Sequence, residues 1–275
     1  MQHIQQSVQR LGMSLSNSLP SVLSSLNYAP TILDAREALI KNGLTKGNNR
    51  HVNAYKKLLP DTLPPEVFDW CVGLLLSDAT LQKNISAKNP AARIKIQQSM
   101  AHRELIEVTQ ELLKPWIFSI GDKSQTMLEI ATIQHKAFLP LIDVFHDYQT
   151  PIKASACVYK KPQPSIKDHL TPICVAAWYM GDGNLAGRAC NFHTEGFLKE
   201  GTELLAQLLT EIYGWETRVI DAGYSDYLGH SMHMLQVRSY SSDEVAKVLT
   251  PFMLDSFKYK IPLPRIRKKR APLCG

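Results

Sequence analysis

Apolar and polar residues along this 275-residue chain fall into two successive runs of the same order. The first run opens at Leu63, where Pro64-Pro65-Glu66 precede the stretch Val67-Phe68-Asp69-Trp70-Cys71-Val72-Gly73-Leu74-Leu75-Leu76, closed by Ser77-Asp78. This pattern predicts a buried helix. Proline suits a first turn because its missing N–H has no intrahelical partner there, and Glu66 complements the positive helix end. The second run opens at Thr171, a candidate N-cap followed by Pro172, and continues as Ile173 to Met180 before Gly181-Asp182-Gly183. Asp78 and Asp182 stand 104 positions apart.

The segments that follow each acid are also alike. After Asp78, residues 79–86 and 92–99 are strand-like, joined by a turn around Lys88-Asn89-Pro90. Arg103 to Trp116 places Leu105, Val108, Leu112 and Leu113 at helical spacing. A strand pair is predicted at Ile117–Gly121 and Met127–Gln134, then a helix at Ala137–His146. After Asp182, strands are predicted near Leu185–His193, a helix over Leu198–Tyr213, strands at Thr217–Ala222 and His233–Tyr240, and a closing helix over Ser242–Leu254 with Ser242 as candidate N-cap. Each half reads α-β-β-α-β-β-α, the mark of a duplicated unit. The expected fold is therefore α+β, a pseudo-symmetric pair of αββαββα units with two antiparallel sheets. The units are expected over 63–155 and 156–263, with 1–62 as an N-terminal arm and linker and 264–275 as a basic tail. Within the arm, Ile32–Lys41 reads as a short helix and Gly43–Arg50 as a turn-rich linker.

Charge narrows the partners. A net charge of +6 and a pI near 9.0 suit a polyanion such as nucleic acid. No apolar run approaches the ~20 residues needed to span a bilayer, so no membrane partner is expected. Five cysteines (Cys71, Cys157, Cys174, Cys190, Cys274) form no CxxC pair, which argues against a disulfide framework or a structural zinc site. The first 33 residues hold no Asp or Glu and are rich in serine. That composition fits an organelle transit peptide, although one poor in arginine, and fits a poorly ordered arm equally.

The stretches Val72-Gly73-Leu74-Leu75-Leu76-Ser77-Asp78-Ala79 and Val175-Ala176-Ala177-Trp178-Tyr179-Met180-Gly181-Asp182-Gly183 resemble the two signature helices of single-chain LAGLIDADG homing endonucleases. Leu76 and Met180 stand where the family name spells its first Asp, which is not the catalytic position. The resemblance covers roughly residues 63–263. It implies two helices side by side on a pseudo-dyad, Asp78 and Asp182 as metal-binding catalytic acids, Mg²⁺ (or Mn²⁺) as cofactor, and a saddle of two sheets on double-stranded DNA. It further implies one active-site lysine per unit, assigned to Lys161, with Lys160 competing for the place, and to Lys260. Such proteins act as monomers in organelle introns, so a mitochondrial more than a chloroplast setting is expected.

Residue chemistry agrees. Gly73 and Ala177 occupy equivalent positions where small side chains permit close helix approach, and Trp70, Leu74, Trp178 and Tyr179 offer apolar surface. Two carboxylates near a phosphodiester repel one another and the substrate, and a hard divalent cation relieves both repulsions. Alternation sends Arg93, Lys95 and Gln97 to one face opposite Ile94 and Ile96, Asn191 and His193 opposite Cys190 and Phe192, and Gln236, Arg238 and Tyr240 opposite Leu235 and Val237. With Gln82, Lys83, Asn84 and Arg188 near the hairpins, these are candidate DNA contacts of the kind that read base edges. The basic run Arg265–Arg270 is a candidate phosphate contact, tail or localisation signal.

Three other functions use the same residues. An RNA-splicing maturase with intron RNA as partner would also use a basic face. A non-catalytic DNA-binding protein of the same fold would have no need of both acids, and a two-Asp hydrolase of small substrates fits poorly with polar sheet faces.

Overall fold

The computed structural model describes residues 18–45, 49–84, 90–146, 160–226 and 229–264. The residues at 1–17, most of the first hairpin turn and the basic run Arg265–Arg270 lie outside these.

The first unit comprises α4 (Pro65–Leu76), β1 (Thr80–Asn84), β2 (Ala91–Ser99), α5 (Arg103–Leu112), β3 (Gly121–Ser124), β4 (Met127–Ala131) and α6 (Pro140–Phe145). The second comprises α7 (Pro172–Asp182), β5 (Gly183–Ala186), β6 (Ala189–Phe192), α8 (Lys199–Tyr213), β7 (Thr217–Ser225), β8 (His230–Val237) and α9 (Ser242–Leu249). Each unit forms a four-stranded antiparallel sheet, ordered β1-β2-β4-β3 and β5-β6-β8-β7. The expected α+β architecture and its duplicated element order are therefore present.

Small residues at the seam let α4 and α7 pack closely. A Cβ on Gly73 would lie 2.2 Å from the Cys174 carbonyl oxygen and 2.8 Å from the Ala177 Cβ. A Cβ on Gly181 would lie 2.3 Å from the Ser77 Oγ. The aromatic residues of these helices also pack within their own units. Trp70 donates its Nε1–H to Thr109 Oγ1 of α5 at 3.0 Å, and Trp178 and Tyr179 pack on Phe192 at 4.6 and 4.9 Å. At the far end of the helix pair, Thr171 stands at the N-cap of α7, but its hydroxyl donates across the seam to Asp69 Oδ2 at 2.9 Å. His169 Nδ1 meets Asp69 Oδ1 at 2.9 Å. Asp69 is buried, so it takes the partner that a cap would otherwise use.

Among the described residues, the stretch expected as arm and linker contains three helices, α1 (Leu19–Ser25), α2 (Pro30–Lys41) and α3 (Arg50–Lys56). They satisfy main-chain carbonyls at and beyond the C-terminal end of α5. Tyr28 Oη donates to Leu112 O, Tyr55 Oη to Pro115 O at 2.6 Å, and the buried Arg36 Nε to Ile117 O at 2.9 Å. Because Arg36 also donates to Phe118 O, these carbonyls serve α2, and β3 begins at Gly121 instead of Ile117. In the second unit α8 ends instead on Gly214 in the left-handed region (φ +69°), whose N–H bonds to Thr210 O. Ser242 begins α9, and the N-cap position falls to Ser241. Among the described residues no helix is long and apolar enough to cross a membrane, and Cys71, Cys174 and Cys190 are free and buried.

Candidate active site and nucleic-acid face

Close packing of α4 on α7 brings the acids that follow them together. The Asp78 and Asp182 carboxyl groups are close neighbours, near enough for the charge of one to act directly on the other. Burial, with the adjacent Asp78 charge, holds the Asp182 carboxyl well above the ordinary carboxylate range, while the Lys160 and His193 charges pull it down. Gln98 Nε2 donates to Asp78 Oδ2 and is itself held by His102 Nδ1 at 3.1 Å from its Oε1.

Two lysines flank the pair in pseudo-symmetric fashion. Lys160 Nζ donates to Ser77 O at 2.7 Å and Ala79 O at 3.1 Å, the carbonyls on either side of Asp78. Lys260 Nζ is buried and donates to Met180 O at 2.8 Å. Burial lowers the Lys260 pKa, and the charges of Asp182 and Asp78 oppose that fall. The lysine placed at the first acid is thus Lys160, whereas Lys161 bonds through its main-chain N–H to Phe145 O at 2.8 Å.

The outward faces of the sheets hold polar rows in register. In the first sheet Gln82 faces Arg93, Thr80 faces Lys95, and Gln97 faces Glu129. Arg93 Nε donates to Gln82 Oε1 at 2.7 Å, Lys95 Nζ lies 3.0 Å from Glu129 Oε2, and Lys123 Nζ donates to Gln97 Oε1. Lys83 stands opposite the buried Ala92, in the core-facing phase of β1, and Asn84 ends the strand opposite Ala91. In the second sheet Asn184, Asn191, Gln236 and Arg218 form one row across four strands, but the expected contacts Asn191 and Gln236 are buried within it, each held by its neighbour in the row. Arg218 Nε donates to Gln236 Oε1 at 2.8 Å, and Gln236 Nε2 to Asn191 Oδ1 at 2.7 Å. His193, just beyond β6, pairs with Glu195 at 2.8 Å.

Three expected contacts lie off the strands or are held sideways. Arg188 clamps the β5–β6 turn onto α9, reaching Ser242 Oγ at 2.8 Å and Asp243 Oδ1 at 2.6 Å. Arg238 lies past the end of β8, paired with Glu216 at 2.8 Å, and Tyr240 sits in the turn Ser239–Ser241 and not on a strand. Residues absent from the sequence-based expectation include Gln98, His102, Lys123 and Arg218. Gln98 and Arg218 had a signal. A glutamine in the buried phase of an alternating strand needs a polar partner, and Arg218 alternates with Val219.

Among the described residues no cluster of three or more His, Cys, Asp or Glu side chains forms. The chain itself supplies two hard carboxylates, not a closed cage. That donor set fits a divalent cation that takes its remaining ligands from phosphate and water. The closeness of the two acids points the same way, since neighbouring carboxylates repel each other unless they share a proton or a cation lies between them.

Comparisons with known proteins follow the same lines. The chain is 26% identical over 135 residues to a probable intron-encoded DNA endonuclease 3 of Mycosarcoma maydis, covering 48% of this chain and 90% of that protein. It is 25% identical over 206 residues to the cytochrome b mRNA maturase bI2 of Debaryomyces hansenii, covering 72% and 74% respectively. The fold matches the homing endonuclease I-WcaI bound to its DNA recognition sequence with a TM-score of 0.66 and 19% identity, over 82% of this chain and 99% of that one. The profile of the LAGLIDADG DNA endonuclease family matches residues 68–245, and the chain belongs to that family.

Proposed function

We propose that this protein is a site-specific homing endonuclease that makes a metal-dependent double-strand break in a long duplex site, acting as a monomer that originates from an organellar, most simply mitochondrial, intron. The observation that carries this reading is the meeting of Asp78 and Asp182 where the two duplicated units join. Each acid leads directly into the first strand of its unit's sheet, and the outward rows of those sheets carry Arg93, Lys95, Gln97 and Arg218. One chain thus supplies two half-site readers and a centre at which both strands can be cut.

Asp78 and Asp182 would hold the divalent cation, Mg²⁺ or Mn²⁺, which when bound polarises the phosphate, lowers the pKa of a bound water and stabilises the departing oxygen. Gln98 holds one oxygen of Asp78 and so fixes the rotation of that carboxylate. Lys160 and Lys260, pinned to main-chain carbonyls beside the acids, present positive charge where the phosphate arrives and where its transition state gains negative charge. Lys161, Asn191, His193, Lys83, Asn84, Arg188 and Arg238 remain candidates for phosphate or base contact, with the pairings above as their starting state.

The decisive experiment is a cleavage selection against a randomised duplex library in Mg²⁺; a defined site cut on both strands supports the reading, and binding without cutting rejects it. Excess EDTA is expected to stop cutting, and Mg²⁺ or Mn²⁺ to restore it. Unaltered cutting in EDTA would rule out the metal mechanism. Lys160→Met is expected to slow cleavage about a hundredfold, and Lys161→Met no more than severalfold. Single-turnover rates decide, and the reverse order would return the role to Lys161.

The match to a maturase across most of both chains supports a second activity, assistance to splicing of the host intron. Native gel binding of that intron RNA, with splicing assayed in parallel for the Asp78→Asn protein, separates the two activities, because RNA folding does not need the acids.

A further inference from the structure

The outward faces of the two sheets differ in chemistry. That of the first is charged or hydrogen-bonding over the rows Gln82–Arg93, Thr80–Lys95 and Gln97–Glu129, with Lys123 beside them and a lone Met127 at the start of β4 opposite Ser99. On the second, the polar row Asn191–Gln236–Arg218 gives way, two residues along the strands, to an apolar pair in which Ile220 stands opposite Met234. Met232 follows Met234 in the same phase of β8. The intervening residues Val219, Leu235 and Val237 face the other way, into the core. Ile220, Met232 and Met234 are half-buried, and among the described residues none of the three belongs to the hydrophobic core.

An apolar pair in the middle of a polar recognition face needs an apolar partner to leave water. The base edges in the major groove offer one such group, the C5-methyl of thymine. We propose that Ile220 and Met234, extended by Met232, read thymine methyl groups in the half-site under the second sheet, beside bases contacted by Arg218. The proposal rests on the endonuclease reading and assigns the substrate chemistry of one half of the same interface. It also predicts an asymmetric target, in which one half is read by charge and hydrogen bonds and the other partly by methyl contact.

The test begins with the site selected by the native protein and that selected by the Ile220→Asn/Met234→Gln double variant. The base pairs at which the two selections differ mark the ground beneath the patch. The native site is expected to carry thymine there. Replacing those thymines with deoxyuridine, which removes only the methyl, is expected to weaken native binding about fourfold per methyl. The double variant should bind the two duplexes alike, and the same replacement in the other half-site should change native affinity less than twofold. The inference is overturned if selections coincide, if the differing pairs lack thymine, or if deoxyuridine there leaves native affinity unchanged. It is equally overturned if the patch mediates self-association, seen as a concentration-dependent dimer in sedimentation that the double variant abolishes. In each of these cases continued cutting of the native site leaves the endonuclease reading standing, whereas a native protein that selects no site removes both.

Discussion

Asp78→Asn and Asp182→Asn are each expected to reduce double-strand cleavage by about three orders of magnitude while leaving DNA affinity within about threefold. The substitution keeps the size and shape of the side chain and removes the charge that a divalent cation requires. The fold should not suffer, and the direction can be worked out. Burial and the Asp78 charge raise the proton affinity of Asp182 in the folded chain. In the metal-free protein, stability is therefore lost as pH climbs from the ordinary carboxylate range toward neutrality. Removing either charge relieves that loss, so the metal-free variants should melt at or above the native temperature. The rise in melting temperature on adding Mg²⁺, expected of the native protein, should disappear. Retained cutting in either variant, or loss of DNA binding with cutting intact, would remove the acids from the mechanism.

Gly73→Ala is expected to destabilise the protein strongly through the helix seam. Its Cβ would fall 2.2 Å from a main-chain oxygen of the partner helix and 2.8 Å from the Ala177 side chain, so neither neighbour can rotate away. Relief requires α4 and α7 to separate, at a cost of about 3 kcal/mol and a fall in melting temperature of roughly 10 °C. Gly121→Ala is the matched control, because its nearest contact would be an ordinary 3.7 Å to Glu129 O. Below the melting range, the Gly73 variant should still cut about a hundredfold more slowly, since parting the helices displaces the acids they carry. A midpoint equal to that of the control would mean that the seam is soft and does not set the spacing of the acids.

The signature helices were legible because both are uninterrupted apolar runs opened by proline, and β2 because every second residue is buried from Ala92 to Gln98. The acids were legible through their repeat-equivalent places. What escaped depended on contacts distant in sequence. Nothing local distinguishes Lys160 from Lys161; the proposal for Lys160 rests on the carbonyls of Ser77 and Ala79, some eighty residues earlier. Arg188 lies in a turn at the edge of a basic face, and only the placement of Asp243 shows that it faces α9. Likewise, Ile117 has strand propensity, but Arg36 takes its carbonyl.

The clasp that Tyr28, Arg36 and Tyr55 form around the end of α5 makes the two halves unequal partners. The second repeat finishes its corresponding helix with a single glycine, a local solution that travels with the segment itself. The first has delegated that task to an upstream extension. Shuffling repeats between relatives, or joining two copies of one half, would therefore succeed more readily with the second half as parent. A first half transplanted without residues 19–56 would arrive with its carbonyls open to water and its third strand free to slide.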